Sequence, residues 1–202
     1  MKRITALLCA VLLLLSLTAC GKAGTPKDTA DSFFKAMQKL DFDAMNECTT
    51  NEANVEWDLG ASGYFSEETT QKMRDIFQSL AAKVEYELGD VESDDTTATV
   101  PAKVTYPDAS PMVRDAMTDV MANMVMSLLG EESDTDVYTQ LIDALAEKVG
   151  SETPAMKTAE VVLPMSKTDE GWKITALSDD VINALSGNVS DAFAEAQSAL
   201  VG

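Results

Sequence analysis

The chain holds four tyrosines, two tryptophans, three cysteines and no histidine in 202 residues. Without histidine it lacks the commonest general base near neutral pH, the commonest metal ligand, and any Ser–His or Cys–His nucleophile pair. The acid–base chemistry left to it is a carboxylate working with a tyrosine. Tyr86 and Tyr106 stand in the apolar register of two strand-like segments, where a ring packs inside and a hydroxyl reaches the rim of a pocket. The strand acids Glu85, Glu87 and Glu160 stand in the opposite register and point to water. Trp57 and Trp172 are the other aromatic candidates, Trp57 as pocket lining and Trp172 as packing. Cys48 sits in Met45-Asn46-Glu47-Cys48-Thr49-Thr50. No basic neighbour lowers its thiol pKa, so it reads as a small buried apolar residue.

Two acid clusters, Glu92-Asp94-Asp95 and Glu131-Glu132-Asp134-Asp136, lack the spacing and distal Glu of a calcium loop and read as solvated turns. No metal and no cofactor is expected. Met117, Met121 and Met124 lie on a methionine-rich helical stripe. Such a stripe serves either as core or as an adaptable apolar surface.

The start of the chain carries a further cysteine. Lys2 and Arg3 precede an apolar run, Leu7 to Leu17, of about 11 residues. A spanning helix needs roughly 20, so the layout is that of a cleaved secretory signal. Its end, Leu17-Thr18-Ala19-Cys20, resembles the lipobox of bacterial lipoproteins. That resemblance implies cleavage before Cys20 and lipid attachment to its sulfur, and more than one acyl chain suffices for stable anchoring. The expected location is the extracytoplasmic face of the cell membrane. An ordinary secretory signal with a chance cysteine is the alternative. Residues 1–19 leave as the signal peptide, and residues 20–24 are the lipidated cysteine and a tether that spans about 14 Å at most.

Removal of residues 1–19 takes away two positive charges and leaves 183 residues carrying 13 basic and 34 acidic side chains, a net charge of −21. That balance argues against nucleic acid, whose binding relies on Lys and Arg. It also argues against adhesion to anionic headgroups beyond the anchor.

These residues need elements to hold them. Thr25-Pro26-Lys27-Asp28 has the form of a capping box with Pro at the first helical position, and Ala30, Phe33, Phe34, Met37 and Leu40 follow at helical spacing. Asp43 is expected to cap a short helix, Ala44 to Cys48, and Ser66 to open another carrying Met73, Ile76, Phe77 and Leu80. The period then changes to two. Val84, Tyr86 and Leu88, then Ala98 to Tyr106, predict a hairpin with a bulge at Gly89-Asp90 and a turn at 92–95. Ala159 to Met165 with Trp172 and Ile174 predict a second hairpin. Between the two, residues 107–154 read as two helices, the first stopping at Gly130 and the second at Gly150. Ser178 is expected to cap a last helix, broken at Ser186-Gly187-Asn188.

This α+β order, with N-terminal helices packed on a bent antiparallel sheet, resembles the cone of nuclear transport factor 2-like (cystatin-like) domains. The residues carrying the resemblance are 25–36, Leu40-Asp41-Phe42-Asp43-Ala44-Met45, and the closing Asp169-Glu170-Gly171-Trp172-Lys173-Ile174. They look like small bacterial lipoproteins of that fold. It implies a cone-like domain over 25–177 with a helical insert at 107–154, followed by a helical tail over 178–202. The expected function is a non-catalytic binding or interaction module, anchored through Cys20, for a small apolar ligand or an envelope partner. The candidate contacts are Trp57, Tyr86, Tyr106, Met117, Met121 and Met124. An isomerase- or dehydratase-type enzyme with a cone-buried carboxylate and tyrosine, or a structural envelope protein, are the alternatives.

Overall fold

The computed structural model describes residues 24–55, 65–128, 136–189 and 191–192. The signal segment, Cys20, Trp57, the linker residues 129–135 and the tail beyond 192 lie outside the described residues.

Helix α1 (Pro26–Met37) opens on the expected capping box. Thr25 Oγ1 accepts from the Asp28 backbone N–H, and Asp28 accepts in return from the Thr25 N–H at 2.9 Å. Its single stripe buries Ala30, Phe33, Phe34, Ala36 and Met37. Each large side chain so buried contributes about 1.5–3 kcal/mol. The chain reverses at Leu40, whose φ is +54°. Helical dihedrals therefore resume early, and α2 spans Phe42–Glu47 with Asp41 as its cap. Asp43 falls in the first turn instead of capping Ala44 to Cys48. A short 3-10 turn, Asn51–Ala53, follows. Helix α3 (Glu67–Ala81) is capped by Ser66, as expected.

The sheet is open, antiparallel and five-stranded. It consists of β1 (Glu85–Leu88), β2 (Glu92–Ser93), β3 (Thr97–Asp108), β4 (Ala155–Thr168) and β5 (Gly171–Ile174). Strand β3 is central. β1 and β2 pair with one edge of it and β4 with the other, in an unbroken ladder from Thr97↔Ser166 to Asp108↔Ala155. Glu92 and Ser93 pair with β3 rather than turning. The turn falls one step later, because the Asp94 carboxylate collects the N–H groups of Thr96 and Thr97 at 2.8 and 2.7 Å. Those donors hold its pKa down at about 2.

The bulge lies where the alternation places it. Four steps from Leu88 to Glu92 face three steps from Ala102 to Thr99. Pro101 sits opposite the bulge. Its carbonyl accepts from the Gly89 N–H at 2.8 Å, and a bulge is one of the places in a sheet where a residue without an N–H is tolerated. A Cβ on Gly89 would meet Pro101 Cγ at 3.0 Å, so the two residues fit as a pair.

β3 runs to Asp108 and β4 begins at Ala155, so the helical insert is α4 (Ser110–Leu128) and α5 (Val137–Ser151), capped by Asp136. Helix α5 runs through Gly150 and ends at Ser151. It packs on α4 and α3, and the Lys72–Asp143 and Lys148–Asp119 ion pairs lock it there. Helix α6 (Asp179–Ser186) ends at Gly187, with φ +61°. Only glycine tolerates both that conformation and the Leu80 side chain, which would stand 2.8 Å from a Cβ.

Among the described residues there are two buried clusters. One lies between α1, α2, α6 and one face of the sheet. It includes Phe33, Phe34, Met37, Met45, Val100, Val104, Tyr106, Leu163 and Ile174. The other joins α3, α4 and α5 through Ile76, Leu80, Met112, Val113, Ala116, Leu145 and Val149. The opposite sheet face is open, with Lys103, Glu160 and Val162 exposed.

Candidate functional site

Tyr86 and Tyr106 share the covered face of the sheet, because both follow the even register of their strands. Tyr86 stands opposite Val104, two residues before Tyr106. Their hydroxyls have different surroundings. The Tyr86 ring stacks on Phe34 at 4.7 Å between centroids, and its Oη donates to Asp31 Oδ1 at 2.7 Å. The other Asp31 oxygen pairs with Lys35 Nζ at 2.6 Å. The Lys35 hydrogen bond holds the Asp31 carboxyl below the usual carboxylate range, with Tyr86 adding to it. Burial, then the hydrogen bond to Asp31 and its charge, pushes the Tyr86 phenol well up. A phenol that holds its proton beside an already paired carboxylate ties α1 to β1 and is poorly suited to proton transfer.

Tyr106 is fully buried, and burial pushes its phenol up to about 12, with the charges of Asp180, Asp108 and Asp191 adding to the rise. Next to it in the strand, Asp108 forms a turn that the sequence reading missed. Asp108 Oδ1 accepts from the Ser110 N–H and hydroxyl and from Asn188 Nδ2 at 3.0 Å, and Asn188 also donates to Ser110 Oγ at 2.8 Å. Burial raises the Asp108 pKa, but the Ser110 and Asn188 donors outweigh it and leave the group below its ordinary value. The Asp-x-Ser spacing of an Asx turn was the signal for this node. Its Asn188 partner, itself at φ +62°, had none. Among the described residues, Tyr106 Oη and Asn188 Oδ1 are buried without a hydrogen-bond partner.

The methionines belong elsewhere. Met117 is half-buried against the second cluster. Met121 and Met124 lie further along α4 and are 47% and 44% exposed, beside Val125 at 58% and Met126 at 50%. Across the helix pair, at the start of α5, Val137 and Tyr138 are exposed as well, and Tyr138 meets Phe65 edge-on. The structure therefore brings the two tyrosines together in one core and the three methionines along one helix, and it separates the two groups. It says nothing of Trp57.

A surface depression of about 590 Å³ lies at the other end of β3, lined by Glu92, Asp94, Thr97, Thr99, Ser166 and Thr175 among others. None of the tyrosines or methionines of α4 lines it, and both Asp94 oxygens are engaged within the turn. Among the described residues no group of three or more Cys, Asp or Glu is arranged to hold a metal ion. Of the second acid cluster, Asp136 is described, and its carboxylate caps α5. Among the described residues no helix is long and apolar enough to cross a membrane.

The hairpin α4–α5 and the start of α1 lie at opposite ends of the sheet layer. Near the start of α1, Lys27 Nζ donates to the carbonyls of Leu88 and Gly89, and Thr29 Oγ1 to that of Trp172. Just past the far end of α1, about 18 Å on at 1.5 Å per residue, Gln38 donates to the Val84 carbonyl. That is the end at which β3 runs into α4.

Compared with known proteins, the sequence matches no family model and no curated protein.

Proposed function

We propose that this protein is an extracytoplasmic lipoprotein, anchored through Cys20, that acts as a non-catalytic interaction module, and that the outer half of the α4–α5 hairpin is its docking element. One observation carries the reading. Four exposed apolar side chains, Met121, Met124, Val125 and Met126, fall within six residues of that half of α4, with Ala122 and Asn123 exposed between them. Exposed apolar residues grouped in this way mark sites where another molecule binds. The tyrosine hydroxyls lend support from the other side. One is tied to Asp31 and the other is enclosed, so the sheet core offers neither to a substrate.

The carboxylate–tyrosine enzyme remains the second reading, because Asp31 does stand beside Tyr86. It is the weaker one, since Asp31 is already charge-paired with Lys35.

The test is a photo-crosslinking residue at position 121 in intact cells, with position 162 on the open sheet face as the control. A discrete adduct from 121, absent from 162 and lost with Val125→Glu, is expected. The same adducts from both positions would overturn the docking role. Cys20→Ser is expected to move the protein from the membrane to the soluble fraction, and retention in the membrane would remove the anchor.

A further inference from the structure

Strand β4 is longer than its partner on the outer side. β5 pairs with Met165, Ser166, Lys167 and Thr168, whereas β4 begins at Ala155. Two hydrogen bonds fix where the remaining backbone groups point. The Lys167 N–H donates toward β3, to the Thr96 carbonyl at 2.8 Å, and the Pro164 carbonyl accepts on the other side, from the Thr175 N–H at 2.9 Å. Odd-numbered residues of β4 thus bond to β3, and even-numbered ones face the outer edge. The ladder with β3 is unbroken, so the alternation holds back to Ala155. Met156, Thr158, Glu160 and Val162 therefore aim their N–H and C=O groups outward. All four are exposed, and among the described residues nothing hydrogen-bonds to those groups.

The other edges of the sheet are closed from within the chain. Lys27 and Gln38, at the two ends of α1, donate to the carbonyls of Leu88, Gly89 and Val84 along β1. On β5, Ile174 donates to the Cys48 carbonyl and accepts from the Thr50 N–H, both at 2.8 Å. β2 is only two residues long. A long regular edge left open is a template for another strand, and proteins ordinarily blunt it with Pro, Lys, a bulge or a cover. Here proline stands at the two limits of the open stretch, Pro154 and Pro164.

Those limits point to the occupant. Both prolines lie five residues from Ala159, so the free edge is symmetric about that residue. An antiparallel copy of the same edge, with Ala159 opposite Ala159, pairs all four outward residues with outward residues and ends at a proline on each side. Met156 then faces Val162 of the second copy, and Thr158 faces its Glu160. The side chains of Met156 and Val162 are 49% and 53% exposed in one copy and cover each other in the pair. Shifting the register by one pair sets Glu160 directly against Glu160 of the second copy, or sets Val162 against its Pro154, which has no N–H to give. Residues 155–164 carry Lys157 and Glu160 and no net charge, and Glu160 has Lys103 opposite it in its own sheet. The edge is thus locally neutral in a chain of −19. We propose that two copies of this chain associate by antiparallel pairing of their β4 edges around Ala159, joining two five-stranded sheets into one. Strand pairing alone buries less than a standard interface, and the two acidic chains repel as wholes, so the association is weak and concentration-dependent. It does not depend on the docking role of α4.

The test uses the full chain in intact cells. Ala159→Cys places two thiols in the closest kind of cross-strand pair, with Cα atoms about 4.5 Å apart and within disulfide reach. Under mild oxidation it is expected to give a disulfide-linked dimer on a non-reducing gel. The wild-type chain and Lys103→Cys, on the open face of the central strand, give the background. Dimer formation no faster than that of Lys103→Cys would overturn the proposal, as would a disulfide to a different protein in place of a second copy. The register is tested on the Ala159→Cys chain. Adding Met156→Lys/Val162→Lys puts like charges opposite each other and should lower the dimer yield severalfold, whereas Met156→Lys/Val162→Glu puts opposite charges there and should retain it. Both positions are exposed, and an unchanged melting temperature shows that the variants fold. Equal yields from the two double variants would overturn the pairing about Ala159.

Discussion

The two buried clusters of the molecule are made of different side chains. Between α1 and the sheet the largest enclosed groups are aromatic or long, with Phe33, Phe34, Met37, Met45 and Tyr106 all fully covered. On α4 the enclosed apolar groups are Met112, Val113, Ala116 and Val120, and the methionines beyond them, Met121, Met124 and Met126, are exposed. Helix α1 has one apolar stripe and one partner surface, and the two match in extent. Helix α4 is apolar beyond the area that α3 and α5 cover. In one region the apolar surface is consumed by folding, and in the other part of it is left over. That leftover apolar surface is the feature on which the proposed docking role of α4 rests.

The sharpest way to break this contrast is to remove one large side chain from the first cluster. Phe34→Ala deletes a fully buried ring that stacks on Tyr86, and it should cost about 3–5 kcal/mol in urea unfolding. A loss below about 1 kcal/mol would mean that the sheet core is not closely packed. The second cluster should respond to overfilling. Ala116→Leu puts three extra carbons into a position with no exposure, and a loss of about 1–3 kcal/mol is expected. Hydrogen exchange should then rise in α4 and α5 before it rises in β3 and β4. A uniform rise would show that the two clusters unfold as one unit.

A smaller effect is expected from Asp31→Asn, which removes the charge between Tyr86 and Lys35. The pair is partly exposed, so about 1 kcal/mol or less is expected at neutral pH. The folded-state pKa of Asp31 lies below its ordinary 3.8. Its contribution is therefore complete above that value and is lost as pH falls through the folded pKa. The stability gap between wild type and variant should accordingly close in strong acid. A gap independent of pH would show that the charge is immaterial. Last comes Tyr106→Phe. The hydroxyl is buried and makes no hydrogen bond to the described residues, so its removal should leave stability within about 0.5 kcal/mol or raise it. A marked loss would reveal a partner for the hydroxyl.

Much of the scaffold was legible because it is written in local spacing. The Thr25/Asp28 capping box, the alternation from Ala98 to Tyr106 and the break at Gly187 each depend on residues within a few positions of one another. Two of the misplacements were also local. Asp43 lost the cap to Asp41 because Leu40 turns the chain, and Glu92-Ser93 formed strand because Asp94 is the better turn residue. The candidate site was less legible. Met117, Met121 and Met124 were evident as a stripe, but periodicity cannot show where a neighbouring helix stops covering it. The partners of Tyr86 and Asp108 lie 55 and 80 residues away in sequence (Asp31 and Asn188), beyond the reach of any local pattern.

The sequence by itself determined the α+β class, the strand register, the position of the helical insert and the absence of histidine chemistry, because these follow from composition and from periods of two and 3.6 residues. Tertiary structure alone decided that β3 and β4 join in one long ladder across the insert, that Tyr106 is enclosed while Tyr86 is tied to α1, and that half of α4 stays exposed. Those outcomes depend on which distant surfaces meet, and the burial available to a side chain is fixed only when its neighbours are in place.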